Sequence, residues 1–167
     1  MVKDKSAGHI GEMVGFVGRL TLMHVVSYVG AGVLFSVVLG AYAAAYSSPA
    51  VSAYVRPTND PLLAYAPLVQ LVRGPIVALA LWPFRSAVIT RPWGWAVLFG
   101  VLLALQEIAA PGGVMESLIY TKVPVWFQLL NVPEVVLQLF AFSLAVSVWE
   151  RRIVRQRTSR LSVGTQQ

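Results

Sequence analysis

The sequence predicts an all-α membrane protein: a four-transmembrane-helix bundle with both termini cytoplasmic. Three observations lead to this fold class. Of the 167 residues, 57% are hydrophobic and only 12% are charged, whereas soluble domains carry about 25% charged residues. Four apolar runs have close to the ~20 residues that cross a hydrocarbon core of about 30 Å. Lys and Arg collect at one end of these runs, which indicates the cytoplasmic side.

The elements follow in chain order. Residues 1–19 are polar and glycine-rich, and we expect a loose cytoplasmic N-terminal tail. A transmembrane domain is expected over 20–150, with its spans at about 20–46, 66–89, 93–110 and 132–149. The first run exceeds a signal-peptide core of roughly 7–15 residues, so it is interpreted as a retained helix, with cleavage near its end as the alternative.

The connections carry turn residues and charges. Residues 47–65 are rich in Ser, Pro, Asn and Asp, which is typical of a loop. The segment 114–131 is apolar but interrupted by Glu116, Lys122 and Pro124, so we expect an outer interfacial segment of short helical turns. Residues 151–167 form a basic cytoplasmic tail, which is expected to bind anionic lipid.

The placement of basic residues sets the predicted orientation. With four spans, ten Lys and Arg residues flank the inner side, whereas only Arg56 and Lys122 flank the outer side. This asymmetry predicts a multi-pass protein of a bacterial inner (plasma) membrane, with both termini in the cytoplasm.

Arg73 lies inside the second apolar run. An arginine in hydrocarbon costs roughly 2.5 kcal/mol or more and usually faces a bundle interior, where it finds a partner. Depths counted at about 1.5 Å per residue predict a polar cluster in the outer half of the bundle. Its expected members are Gln70, Arg73, Glu107, Glu134 and Gln138, with Glu116 and Tyr120 directly above them.

The role of this cluster stays open between a binding site and a structural one. One arginine facing two carboxylates leaves negative charge in a low dielectric, which suits a proton, a cation or a lipid headgroup. Arg73 with Glu107 can equally be an internal ion pair that fixes helix register. Glu134 follows Asn131 by three residues, which also fits a helix N-cap.

Small residues recur at every fourth position of the first run, namely Gly32, Ser36, Gly40 and Ala44. Such stripes mark faces where helix backbones approach closely in lipid. The stripe is interpreted as packing within the bundle or as a contact with a second copy or another membrane protein.

Several functional classes find no support in the sequence. There is no cysteine, which excludes disulfides and thiolate chemistry. The nucleotide-binding, zinc-protease and serine-hydrolase motifs are missing. We therefore expect no catalytic residues, no metal and no cofactor. Nucleic acid is not an expected partner, because most basic residues flank apolar spans instead of covering a polar surface.

Four short stretches resemble a family of small, uncharacterised four-helix bacterial integral membrane proteins. They are Arg73-Gly74, Pro83-Phe84-Arg85, the P-G-x-x-x-E-x-x-I-Y-T stretch at 111–121, and Pro133-Glu134-Val135. The resemblance covers about residues 65–140, and its most specific part is 116–121. It implies a four-helix membrane fold without an assigned activity, ligand or partner.

Two functions follow as expectations. The first is an accessory or structural subunit that packs its helices in a larger membrane complex, because 167 residues leave little room for a transport path. The alternative is a small binding or transport module with an outward-facing Arg/Glu site.

Overall fold

The computed structural model describes residues 5–40, 42–57, 59–108 and 114–164, and within these ranges the side chains of 5–7, 107–108, 115, 117–118 and 160–164 lie outside the description. All regular structure in the described ranges is helical. Three helices are long and apolar enough to cross a membrane, at Gly8–Val38, Pro61–Ile89 and Val125–Ser159. A fourth apolar helix, Gly94–Gln106, is shorter.

The first helix, α1, covers Lys5–Val33 and continues as a π-helical turn, Leu34–Val38. The predicted tail at 1–19 is therefore wrong from Lys5 onward. The physical reason is tertiary packing, because Phe16 is fully buried against Trp82, and this contact outweighs the low helix propensity of the glycines. The chain leaves the helix at Gly40, whose φ of +58° suits glycine.

The connection after α1 contains two short helices, α2 (Ala43–Ser47) and α3 (Pro49–Ser52). The predicted first span, 20–46, therefore ends earlier than expected. Asp60 starts the next helical segment, because its carboxylate accepts a hydrogen bond from the backbone N–H of Leu62 at 2.8 Å. A 3₁₀ turn, Pro61–Tyr65, then leads into α4 (Ala66–Leu81).

The turn between α4 and α5 is tight. Pro83 stands in a 3₁₀ turn, Trp82–Phe84, because proline lacks the N–H that would continue the α-helix. A π-helical turn, Arg85–Ile89, follows, and α5 covers Gly94–Leu103 with a further π turn to Ile108. Gly94 has no room for a side chain, since a Cβ there would lie 2.1 Å from the Val88 carbonyl oxygen.

The last two helices differ from the predicted interfacial segment and final span. Helix α6 covers only Val114–Tyr120 within the predicted segment 114–131, and its position at a membrane interface stays a prediction. Helix α7 begins already at Val125 and runs for 40 residues to Gly164, through Pro133 and the predicted basic tail. At about 1.5 Å per residue its length is roughly 60 Å, about twice a hydrocarbon core.

Helix α1 packs against both α4 and α7, and α5 packs against α7. Helices α4 and α5 make at most marginal contact with each other. The main core lies toward the end of the bundle where α1 begins. Its buried residues are Phe16, Leu20, Ala78, Ile89, Leu98, Phe142 and Val146.

Candidate functional site

Arg73 lies on the exposed side of α4. The face of α4 that packs on α1 carries Gln70, Gly74 and Ala78, which are buried and spaced four residues apart. Arg73 is displaced from Gly74 by about 100° around the helix, and its side chain is exposed. Among the described side chains, no carboxylate forms an ion pair with it.

The buried side of α4 carries one polar contact to α1. Nε2 of His24 and Oε1 of Gln70 are joined by a buried hydrogen bond of 3.0 Å. The His24 ring also meets Phe142 of α7 edge-on, with ring centroids 5.7 Å apart. Gln70 is thus a packing partner of His24 at the centre of the bundle.

Glu134 lies within α7, well after its first turn at Val125, so the predicted helix N-cap does not form. The Asn131 side chain donates instead to the backbone carbonyl of Phe127, at 3.0 Å. The Glu134 carboxylate accepts a hydrogen bond from the Tyr42 hydroxyl at the start of α2. No described basic side chain pairs with it.

The other members of the predicted cluster are spread over different surroundings. Gln138 is buried in α7 one turn below Glu134. Glu116 is half-buried on α6, whereas Tyr120 is 76% exposed. The Glu107 side chain lies outside the described residues, so its pairing with Arg73 stays a prediction.

A cavity of about 370 Å³ opens beside Glu134. It lies between the end of α1, helix α2 and the start of α4. Three tyrosines from two elements line it, Tyr28 on α1 with Tyr42 and Tyr46 on α2. Among the described residues that line this outer cavity, Glu134 is the charged one. The remaining lining residues are Val29, Gly32, Val33, Ser36, Leu63, Ala66 and Pro67.

The two tyrosines of α2 lie beyond the first long apolar helix. Burial raises the pKa of Tyr42 well above its ordinary value, and the hydrogen bond to Glu134 raises it further. The pKa of Tyr46 is raised by burial first and then by the charge of Glu134. Both phenols are therefore protonated at neutral pH, so Tyr42 donates and Glu134 accepts.

The predicted small-residue stripe does not lie on one helix face. Gly32 is still in α1, where a Cβ would come within 3.6 Å of a Glu134 carboxylate oxygen. Ser36 belongs to the π turn and is exposed, while Gly40 and Ala44 follow the break in the helix and are exposed. The stripe is interrupted because the glycine at 40 takes a left-handed conformation.

Sequence reasoning missed a network of ion pairs, here called the inner network, at the end of the bundle where α1 begins. Glu150 of α7 is 2% exposed and bonds to Arg19 of α1 and to Arg85 after α4, at 2.6 Å each. Glu12 of α1 lies 3.4 Å from Arg85 and also pairs with Arg157 near the end of α7. The network joins the inner ends of three helices.

Arg85 is one of the ten Lys and Arg residues that predict the orientation, and its guanidinium packs over two aromatic rings. The ring centroids of Phe16 and Trp82 lie 5.9 and 5.4 Å from it. A usable signal existed in α1, because Glu12, Phe16 and Arg19 recur at the i, i+4, i+7 spacing of one helix face. In α7 the corresponding signal is Ser143, Ser147 and Glu150.

Three hydroxyl groups are buried between these two ends, those of Thr21, Ser143 and Ser147. Within the described part of the chain, none of them has a hydrogen-bond partner. Unsatisfied buried hydroxyls each cost on the order of 1–3 kcal/mol.

No cluster of three or more His, Asp or Glu side chains that could hold a metal ion occurs among the described residues. Comparisons of the chain with protein-family models, with curated proteins and with solved structures find no match. The resemblance to small four-helix membrane proteins stays a prediction.

Proposed function

We propose that the chain crosses a bacterial inner membrane four times, with both termini in the cytoplasm. The described part of the α5 segment, 94–108, is about 22 Å long at 1.5 Å per residue. It runs alongside α7, with Trp95 and Phe99 both in edge contact with Phe140. A short apolar helix can still cross where the bilayer thins around it. The asymmetry of Lys and Arg supports the orientation.

In this membrane the protein acts as an accessory subunit that docks on a larger membrane complex through α4. The observation that carries the proposal is the position of Arg73. It stands about 10 Å along the helix from Ala66, on the exposed side of an apolar helix and without an ion pair among the described side chains. A guanidinium facing lipid at this depth costs about 2.5–3.5 kcal/mol or more, which a partner would remove.

The chemistry of Arg73 defines the partner as a membrane helix with a carboxylate at the same depth. Guanidinium and carboxylate form two parallel hydrogen bonds, which gives such a contact a fixed geometry. Around Arg73 the docking face is apolar, since Val69 and Ile76, four residues before and three after it, are 59% and 63% exposed.

A second copy of this chain fits less well than a different protein. It would offer the same carboxylates, and most of the described ones are already engaged. Glu12 and Glu150 belong to the inner network, and Asp60 pairs with Arg56.

In-cell photo-cross-linking tests the proposal. A photoreactive residue at Val69 or Ile76 should give a defined adduct with another membrane protein, and Val101 on the exposed side of α5 is the matched control position. Arg73→Leu should abolish the adduct, while Arg73→Lys should retain much of it because the charge remains. Exchanging charges, with Arg73→Glu and an arginine at the partner's carboxylate, should restore it.

Three results would speak against the accessory role. One is an adduct that Arg73→Leu leaves unchanged, and another is equal labelling from Val101. The third is an adduct that contains only a second copy of this chain.

A further inference from the structure

We propose that the outer cavity is a binding site for an alkylammonium group, carried by a small organic cation or by a lipid headgroup. Arg73 does not line the cavity, so this site goes beyond the docking role. Its volume of about 370 Å³ lies in the range of small-molecule sites, about 300–1,000 Å³.

The first argument is charge. Glu134 supplies a carboxylate at the cavity wall, and its one described hydrogen bond comes from Tyr42. The described residues that line the cavity include no lysine, arginine or histidine. A carboxylate that is partly removed from water and lacks a counter-ion favours a cationic ligand.

The second argument is the aromatic wall. Tyr28, Tyr42 and Tyr46 line the same cavity as the carboxylate. The rings of Tyr42 and Tyr46 meet edge-on, with centroids 5.7 Å apart, and Tyr46 also meets Phe127 at 5.5 Å. Aromatic faces attract alkylated ammonium groups, which shed water more easily than a metal ion does. Carboxylate and tyrosines together select an organic cation.

The third argument is that the site is built by the fold. Tyr42 is 4% exposed, and its hydroxyl fixes one carboxylate oxygen of Glu134. The other oxygen lies beside Gly32, where a side chain would come within 3.6 Å of it. Gly32 and Glu134 both line the cavity, so this oxygen lies at the cavity wall with only glycine beside it.

Calorimetric titration of the full-length protein with choline tests the site. The matched probe is 3,3-dimethylbutan-1-ol, which has the shape of choline without its charge. Choline should bind saturably and at least about tenfold more tightly than the neutral alcohol, as expected for a carboxylate with cation–π contacts. Glu134→Gln should weaken choline binding by about tenfold or more, and Tyr46→Leu should weaken it as well.

Glu116→Gln is the control variant, because Glu116 lies on α6 and does not line the cavity; it should bind choline like the wild type. If Glu134→Gln fails to fold, weaker choline binding by Tyr46→Leu and Tyr28→Leu tests the proposal instead. Choline binding no tighter than that of the neutral alcohol overturns the proposal, as does unchanged choline binding in Glu134→Gln or in both tyrosine variants.

Nanodiscs distinguish the two sources of the ammonium group. If a lipid headgroup occupies the cavity, choline should bind in phosphatidylglycerol nanodiscs and be displaced in phosphatidylcholine nanodiscs. If the ligand is a free cation, choline should bind equally in both. Absence of choline binding in phosphatidylglycerol nanodiscs contradicts the site. The choline titration does not depend on the Arg73-dependent adduct. Each experiment can therefore contradict its own proposal without affecting the other.

Discussion

At the residue scale, Glu150 is a buried carboxylate that holds three helices together. Arg19 and Arg85 reach its two oxygens from different elements, and their side chains are 21% and 12% exposed. A buried charge is tolerated only when it is paired and hydrogen-bonded. Sequence reasoning counted Arg19 and Arg85 only among the basic residues that set orientation and gave Glu150 no role, because a count of Lys and Arg near span ends does not show which of them point inward.

Glu150→Gln should destabilise the purified protein. The change leaves two guanidinium groups without their common carboxylate, and breaking a buried pair typically costs about 3–5 kcal/mol. Chemical or thermal unfolding in detergent measures the loss. Asp60→Asn is the control, since it breaks an exposed loop pair with Arg56 and should have little effect. Equal stability of both variants would mean that the inner network is not formed.

At the element scale, the closest approach of two helices is between α1 and α4. A Cβ on Gly74 would lie 2.8 Å from Thr21 Cγ2 and 3.0 Å from Thr21 Cα. The predicted small-residue stripe on the first span pointed to a different place. In the sequence, Gly74 and Gly40 are both glycines within apolar runs. Only the packed structure shows that Gly74 lies at a helix contact, whereas Gly40 ends a helix.

Gly74→Ala should separate α4 from α1 and destabilise the protein by about 1–3 kcal/mol, as over-packing of a tight contact does. Gly100→Ala is the matched control on α5, because nothing lies within 4 Å of the position of its Cβ. Higher helix propensity should leave that variant unchanged or more stable by up to about 1 kcal/mol. Unfolding curves of the two variants in the same detergent give the comparison. Equal changes in the free energy of unfolding of the two variants would contradict the close contact between α1 and α4.

Helix ends were predicted less well than helix existence. Glycines predicted a loose segment before residue 20, but the burial of Phe16 and Leu20 extends α1 through it. Pro133 and Asn131 predicted a helix start, yet α7 continues through both. Proline can remain inside a membrane helix when neighbouring groups satisfy the freed backbone, so its presence alone does not mark an end.

At the scale of the whole molecule, composition was enough to predict a helical protein with apolar spans. It could not predict which side of α4 faces outward. In lipid, exposed residues are as apolar as buried ones, and α4 exposes Leu68, Val72 and Leu79 as readily as it buries Ala78. Hydrophobic periodicity therefore carried little information about the environment of Arg73.

Topology is the first whole-molecule prediction. A reporter active only in the cytoplasm should give signal when fused after Gln167 and none when inserted near Asn59, because the long α7 ends on the side rich in Lys and Arg. Fusions of a periplasm-active reporter at the same two positions serve as the reciprocal control. Cytoplasmic signal at both positions would remove the four-span arrangement.

The orientation of Arg73 is the central claim, since the docking role depends on it. The stability of the isolated protein tests it most directly. Arg73→Leu should leave the free energy of unfolding within about 0.5 kcal/mol of the wild type, as expected for an exposed side chain without a partner. Glu150→Gln, measured in the same experiment, gives the change in unfolding free energy that follows the loss of a buried ion pair. A loss of about 3 kcal/mol or more for Arg73→Leu, partly recovered by adding Glu107→Gln, would contradict the claim. Arg73 would then be paired inside the bundle.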